Sequence, residues 1–346
     1  MIKKVFSFVL LLLLSIAVLI TMFTYSNRKL GLKNGFKRIF PKDRASIKAK
    51  ITLDDEAYSI VDVSTDTITL NTFNKPYELI KISNDGHKKI TYRIPSIQKK
   101  EKFDGLNTVA IFDDCYIILS GKSSSGYKIN KAGKIIVAKR LNKLYFYQSE
   151  VMNTNSFVFV EDAMIDSIKR HKLKKVNWQG KELSSFIPEK QVDGYFCTDG
   201  FFTFDRESKR LFYAFYYRGT FACLDSNLNL IYQAKTIDTI KRAKIFLRNV
   251  GNHVTQSTPP NVVNKRFSVA NGKVYMQSAL KADNETKGNF EKFDVIDIYN
   301  IRNGEYTVSF YIPKLGIQRL TAFKVYKHML VALYNSTLVV FKIPNF

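Results

Sequence analysis

Few residues in this chain have the type and spacing that chemistry demands. Lys281-Ala282-Asp283-Asn284-Glu285 offers three consecutive oxygen-bearing side chains. Such a run can approach a hard cation, but the glycine and the spacing of a calcium loop are missing. No metal is therefore expected there, and Lys281, Asp283 and Asn284 are read as ligand contacts. Arg218 follows the apolar run 211–217 and is expected to emerge near an internal channel. A guanidinium placed there can clamp a carboxylate or phosphate, or pair with a neighbouring acid. His253, one of four histidines, lies in a polar stretch. It suits a ligand contact or a general base, the plainer alternative being a solvated loop histidine.

No recognised catalytic motif accompanies them. There is no GxSxG, HExxH, Walker A loop or convincing GxGxxG. No CxxC or zinc-like Cys/His spacing occurs. No catalytic residue and no cofactor is assigned. Cys115, Cys197 and Cys223 are too few for a disulfide framework and sit in apolar runs. Buried thiols are the default, and Cys197 with Cys223 can pair in an oxidising compartment.

The elements that must position these residues announce themselves by a returning turn. It reads Asn84-Asp85-Gly86, Ala132-Gly133-Lys134, Gln179-Gly180-Lys181 and Asn303-Gly304-Glu305. The first three glycines are spaced by 47 residues each, and a copy without glycine, Asp225-Ser226-Asn227-Leu228-Asn229, falls near the next interval. Hairpin turns need a residue at positive φ, hence the glycine. A period of 40–50 with hairpin chemistry marks a β-propeller. The fold class expected is all-β: a six-bladed β-propeller preceded by a single N-terminal transmembrane helix. Blades are placed at about 54–95, 104–142, 143–188, 196–238, 265–313 and 318–346. The last has only three strands, and the spare strand at 46–52 completes it, closing the ring and removing exposed sheet edges.

Propeller geometry then sorts the loops. The glycine turns lie on one face. The opposite face collects 122–126, 162–170, 217–219, 281–292 and the insertion 237–264, which opens with apolar residues at a period near three and becomes a polar loop. Long polar loops inside a compact domain are commonly functional, so the protein or small-molecule ligand is expected on that face.

The N-terminus carries a different signal. After Lys3 and Lys4, residues 5–25 are uncharged and Leu-rich. That length spans a bilayer core and is read as an uncleaved signal-anchor over 1–25. Residues 26–45 form a basic tether, and 46–346 the propeller. The first 44 residues hold nine Lys/Arg and one Asp, within a whole-chain formal charge of +24. The flanking charge alone favours a cytoplasmic tether. The short basic n-region and the large following domain favour export, with the propeller extracytoplasmic. Tyr and Phe interleave with Lys and Arg in strand register, core inside and charge outside, so no nucleic-acid partner is expected.

With these units assigned, the chain resembles the TolB-like and NHL-like six-bladed propellers, particularly the membrane-tethered ones of Bacteroidetes. The likeness lies in the architecture and in Lys281-Ala282-Asp283-Asn284, Val295-Ile296-Asp297-Ile298-Tyr299, Asn303-Gly304 and Ser309-Phe310-Tyr311-Ile312-Pro313. It implies a periplasmic or cell-envelope propeller, tethered to a bacterial inner membrane, acting as a binding or scaffold module. The alternatives are a propeller enzyme of hydrolase, lactonase or lyase type with its site in the central channel, and a cytoplasm-facing regulatory domain.

Overall fold

The structure, a computed structural model, describes residues 2–31, 33–54, 58–72, 75–94, 103, 107–141, 144–251 and 253–345. On the first helix, side chains are described for 7–22 and 24 only, so the expected charges at Arg28 and Lys29 lie outside the described side chains.

Six four-stranded antiparallel sheets form, each strand pairing with the next in sequence. The first blade is β2 (Tyr58–Val63), β3 (Thr67–Thr72), β4 (Lys75–Ser83) and β5 (Lys89–Arg93). The second is β6 (Asn107–Phe112), β7 (Cys115–Ser120), β8 (Ser125–Asn130) and β9 (Ile135–Arg140). The third is β10 (Ser149–Asn153), β11 (Ser156–Ile165), β12 (Ile168–Asn177) and β13 (Glu182–Phe186). The fourth is β14 (Gly200–Asp205), β15 (Arg210–Phe215), β16 (Thr220–Leu224) and β17 (Leu230–Lys235). A separate hairpin, β18 (Leu247–Val250) and β19 (His253–Gln256), occupies the insertion. The fifth blade is β20 (Asn264–Ala270), β21 (Lys273–Ser278), β22 (Phe293–Asn300) and β23 (Tyr306–Pro313). The sixth is β24 (Leu320–Tyr326), β25 (Met329–Tyr334) and β26 (Thr337–Lys342), closed by β1 (Ser46–Thr52) on β26.

The innermost strands β2, β6, β10, β14, β20 and β24 neighbour one another in a closed ring. Blades face each other, so their middle strands bury both sides: β25 and β15 are buried at all but their first residue. Six apolar clusters result, one between each pair of adjacent blades.

The turn glycines take the expected conformation. Gly86, Gly133, Gly180 and Gly304 have φ of +80°, +84°, +77° and +73°. At the copy without glycine, buried Leu228 holds φ +62° and packs into the cluster between the third and fourth blades. These turns bond to the first-to-second strand turns, as in Asn84 N–H to Asp66 O at 3.1 Å and Ile301 N–H to Gly272 O at 3.0 Å. That defines the turn face. Blade links meet the second-to-third strand loops on the other side, as in Leu141 N–H to Ser124 O at 2.7 Å. That is the loop face.

Three expectations are modified. Residues 162–170 are not a loop: β11 and β12 run out as a hairpin of two ten-residue strands closed by Asp166 and Ser167. Both turn residues have positive φ, +49° and +60°, the geometry whose twist matches that of paired strands. The insertion is not a loop throughout: its residues 247–250 and 253–256 form a β-hairpin paired only with itself. The N-terminal run is helical, α1 (Ile2–Gly31), yet among the described residues no helix is long and apolar enough to cross a membrane. The described side chains of α1, at 7–22 and 24, are exposed.

Candidate functional site

The sequence-derived candidates separate in space. Arg218 does not open onto a channel. It is fully buried, its guanidinium 3.7 Å from the Phe215 ring centroid and donating to Glu189 O at 2.9 Å. Burial holds its pKa below the usual arginine value, with Glu189 opposing. His253 stands exposed at the tip of the β18–β19 hairpin.

Lys281, Asp283 and Asn284 are engaged by the chain's own tether. Asn34 N–H donates to Asp283 Oδ1 at 2.7 Å, and Asn34 Nδ2 to Lys281 O at 2.7 Å. Asn284 receives Arg38 N–H at 3.0 Å and returns Nδ2–H to Arg38 O at 2.8 Å. Asp283 N–H donates to Phe36 O at 2.8 Å, and Ser309 N–H to Ile39 O at 2.8 Å. Arg38 is 3% exposed and grips Asp297 through Nε at 2.7 Å and Nη2 at 3.0 Å, with Glu285 on Nη1. Burial alone would lower the arginine's pKa; Asp297 and Glu285 overcome it and raise it. Phe40 stacks on Tyr311 at 4.6 Å. Residues 34–40 therefore form a strap seated on the fifth blade, entering on the loop face. The acids at 283–285 serve that strap.

A different cluster occupies the loop face at the third blade. The extended hairpin pairs Asp162 directly with His171. Because side chains alternate along a strand, Lys169, opposite Met164, shares their side. His171 is 2% exposed, with Tyr147 Oη 3.3 Å from Nε2 and Thr198 Oγ1 3.3 Å from Nδ1. Tyr195 donates to Asp162 Oδ2 at 3.1 Å, and Lys169 Nζ lies 2.9 Å from the same oxygen and 4.0 Å from the Tyr195 ring. Tyr195 is set by a single turn of 3-10 helix at 196–198. Asp193 holds that turn by accepting Phe196 N–H at 2.7 Å and Cys197 N–H at 2.8 Å. Asp199 stands beside the cluster.

Burial governs the charges there. It lowers the His171 pKa, with Asp162 opposing, so the imidazole is neutral near pH 7. It pushes Asp199 up to about 6, the Asp162 charge adding and the Gly200 N–H opposing. It raises Tyr147, whose ring is 44% exposed while its hydroxyl points in at His171. A neutral imidazole, protonated phenols and one easily protonated carboxyl make a hydrogen-bonding site. The Thr198 hydroxyl is already tied to Gly194 O and Tyr195 O at 2.9 Å each. A cleft of about 510 Å³ adjoins, lined by Tyr145, Phe146, Tyr147, Phe159 and Asp162 among others.

The channel itself is lined by innermost strands bearing mixed charge. Glu150 on β10 accepts from Thr203 Oγ1 and Phe204 N–H at 3.4 Å, and Lys324 on β24 donates to Val61 O at 2.9 Å. Burial raises the carboxyl and lowers the ammonium, each opposed by the other's charge. Among the described residues no group of three His, Cys, Asp or Glu side chains is placed to hold a metal ion. Cys115, Cys197 and Cys223 are free thiols.

Sequence reasoning missed His171. The available signal was its place in an alternating run, 168–177, where a polar residue falls on the buried side.

No protein-family model matches the chain, and no curated protein matches it. Solved structures match along most of its length at low identity. A member of the DUF4221 family from Bacteroides vulgatus is 13% identical, covering 91% of this chain and 100% of its own, with a TM-score of 0.48. BamB from Moraxella catarrhalis is 10% identical, covering 88% and 99%, with a TM-score of 0.44. Streptogramin B lyase is 9% identical, covering 87% and 97%, with a TM-score of 0.45.

Proposed function

We propose that this protein is a membrane-anchored binding propeller of the cell envelope, of the TolB-like or NHL-like kind, whose ligand occupies the loop face. The observation that carries the reading is the cleft beside His171. Tyr145 and Tyr147, 66% and 44% exposed, stand over a set of partly buried hydrogen-bonding groups. Aromatic side chains with a wet edge are what binding surfaces use. The turn face also has a cleft, of about 800 Å³, but none of its lining residues, Asp66, Asp85, His87 and Lys88 among them, is buried. The mixed charges of the channel, Glu150 against Lys324, are matched to each other, which favours a structural lining over a catalytic one. The uncharged run 5–25 behind Lys3 and Lys4 supports anchoring and export of the domain.

The test places a photo-crosslinking amino acid at Tyr145 on the loop face and, separately, at His87 on the turn face, in cells making the full chain. A discrete adduct from position 145, lost when His171→Ala is added and absent from position 87, is expected. Adducts from position 87 alone would overturn the assignment of the binding face.

A further inference from the structure

We propose that the mouth of the channel between the fifth and sixth blades is a second binding site, for a small organic anion: a phosphate or carboxylate borne on a flat or apolar body. The inference rests on the loop face being the binding face but concerns different residues from the His171 cleft.

Two adjoining clefts share Lys265 and Arg266. One, of about 460 Å³, lies under the link from the fifth to the sixth blade. Lys265, Arg266, Lys314 and Arg319 meet there with a single carboxylate, Asp294. Among the described residues none of the four cations makes an ion pair. Lys314 Nζ donates to Phe290 O at 2.7 Å, and Arg266 Nε to Thr321 O. Asp294 is 7% exposed and is bound by Gln277 Nε2 at 3.0 Å. Gln277, 2% exposed, leaves its Oε1 without a partner among the described residues while lining the same cleft. A buried acceptor left open is costly unless something fills it. Lys265 sits where the β20–β21 register slips, between Asn264 and Arg266. A bulge re-aims the side chain it carries. Burial holds the Lys265 ammonium below the usual lysine range, Asp294 opposing and Lys314, Arg266 and Arg319 adding. An arriving anion would relieve that crowding.

The second cleft, of about 590 Å³, is walled by aromatic rings, among them Phe201, Tyr216, Tyr217, Phe267 and Phe323. Phe201 lies 4.9 Å from both Tyr216 and Phe267. Cations at one end and a wall of tilted rings at the other fit a molecule with a charged head and a ring or apolar body. An open hydroxyl on that molecule would answer Gln277 Oε1.

The full chain, in a neutral detergent, is titrated calorimetrically with phenyl phosphate and with benzoate. Inorganic phosphate and phenol serve as the fragments of phenyl phosphate, and formate and benzene as those of benzoate. At least one ring-bearing anion is expected to bind about tenfold or more tightly than either of its fragments. Lys265→Gln and the exposed Arg319→Gln are each expected to weaken it about tenfold, while Lys88→Gln on the turn face leaves it unchanged. Each variant's unfolding midpoint is measured alongside, so a folding defect is not read as lost contact. Repeating the titration in nanodiscs of phosphatidylcholine, with and without phosphatidylglycerol, separates the sources. Competition by phosphatidylglycerol identifies a lipid headgroup as the occupant, and its absence a free anion. No binding of either probe by the folded chain overturns the proposal, as does binding unaffected by both substitutions. The crosslinking result at Tyr145 is independent of either outcome.

Discussion

Asp199 is the residue whose protonation the fold controls most visibly near neutral pH. Its folded pKa of about 6 stands above the ~3.9 of an unfolded aspartate. The folded state therefore holds the proton more tightly, and stability falls as pH rises from about 4 to about 6, staying lower above that. Asp199→Asn removes the ionisation. The variant should gain on the native protein at pH 7.5, by at most ~3 kcal/mol, and show no such gain at pH 4. Thermal unfolding at the two pH values reads this directly, and an equal difference at both would contradict it. His171 belongs to the same scale. Its chain position hid its role, because Tyr147, Tyr195 and Thr198 reach it from two different blade links. Only the register Asp162–His171 was within reach of the sequence, and that required knowing that β11 and β12 run on to residue 165.

At the scale of elements, the strap is the largest departure from expectation. A run of seven cationic residues from Arg28 to Arg44 reads as a solvated tether, and most of it carries that composition. Arg38 differs only by its surroundings: two acids about 250 positions away in sequence, which no local pattern connects. Removing the guanidinium leaves Glu285 and Asp297 buried and uncompensated, a cost of about 3–5 kcal/mol. Arg38→Met should lower unfolding free energy in denaturant by that order. Adding Glu285→Gln and Asp297→Asn should recover much of it, since the charges then vanish together. No recovery in the triple variant would mean that the strap is held by backbone and Phe36 contacts instead. The turns, by contrast, were legible because their constraint is local. A Cβ on Gly304 would overlap Ala234 Cβ and its φ is positive, so glycine appears in the sequence where the backbone demands it. Leu228 shows the rule bending where a buried contact outweighs backbone preference.

The whole molecule was legible for the same reason: a repeat imposes itself six times, and a three-stranded last blade calls for the spare first strand. β1 pairs with β26 from Ser46–Lys342 to Thr52–Thr337. What the repeat could not convey is which loops hold chemistry, because those break the period. Orientation follows from the strap entering on the loop face. Under the proposed anchoring, that face, with Lys265, Arg266 and the His171 cleft, would look toward the bilayer. A C-terminal alkaline phosphatase fusion to the full chain should be active and remain with the membrane fraction. An inactive fusion, with a cytoplasmic reporter active at the same junction, would place the propeller on the other side.

The strap and β1 also stand in mechanical series. Residues 34–40 are fixed to the fifth blade, and 46–52 are zipped to the sixth. A pull arriving through α1 must first shear Arg38 from its two carboxylates before it can peel the strand that closes the ring. The propeller is thus insulated from tension applied through α1, with Arg38 as the fuse.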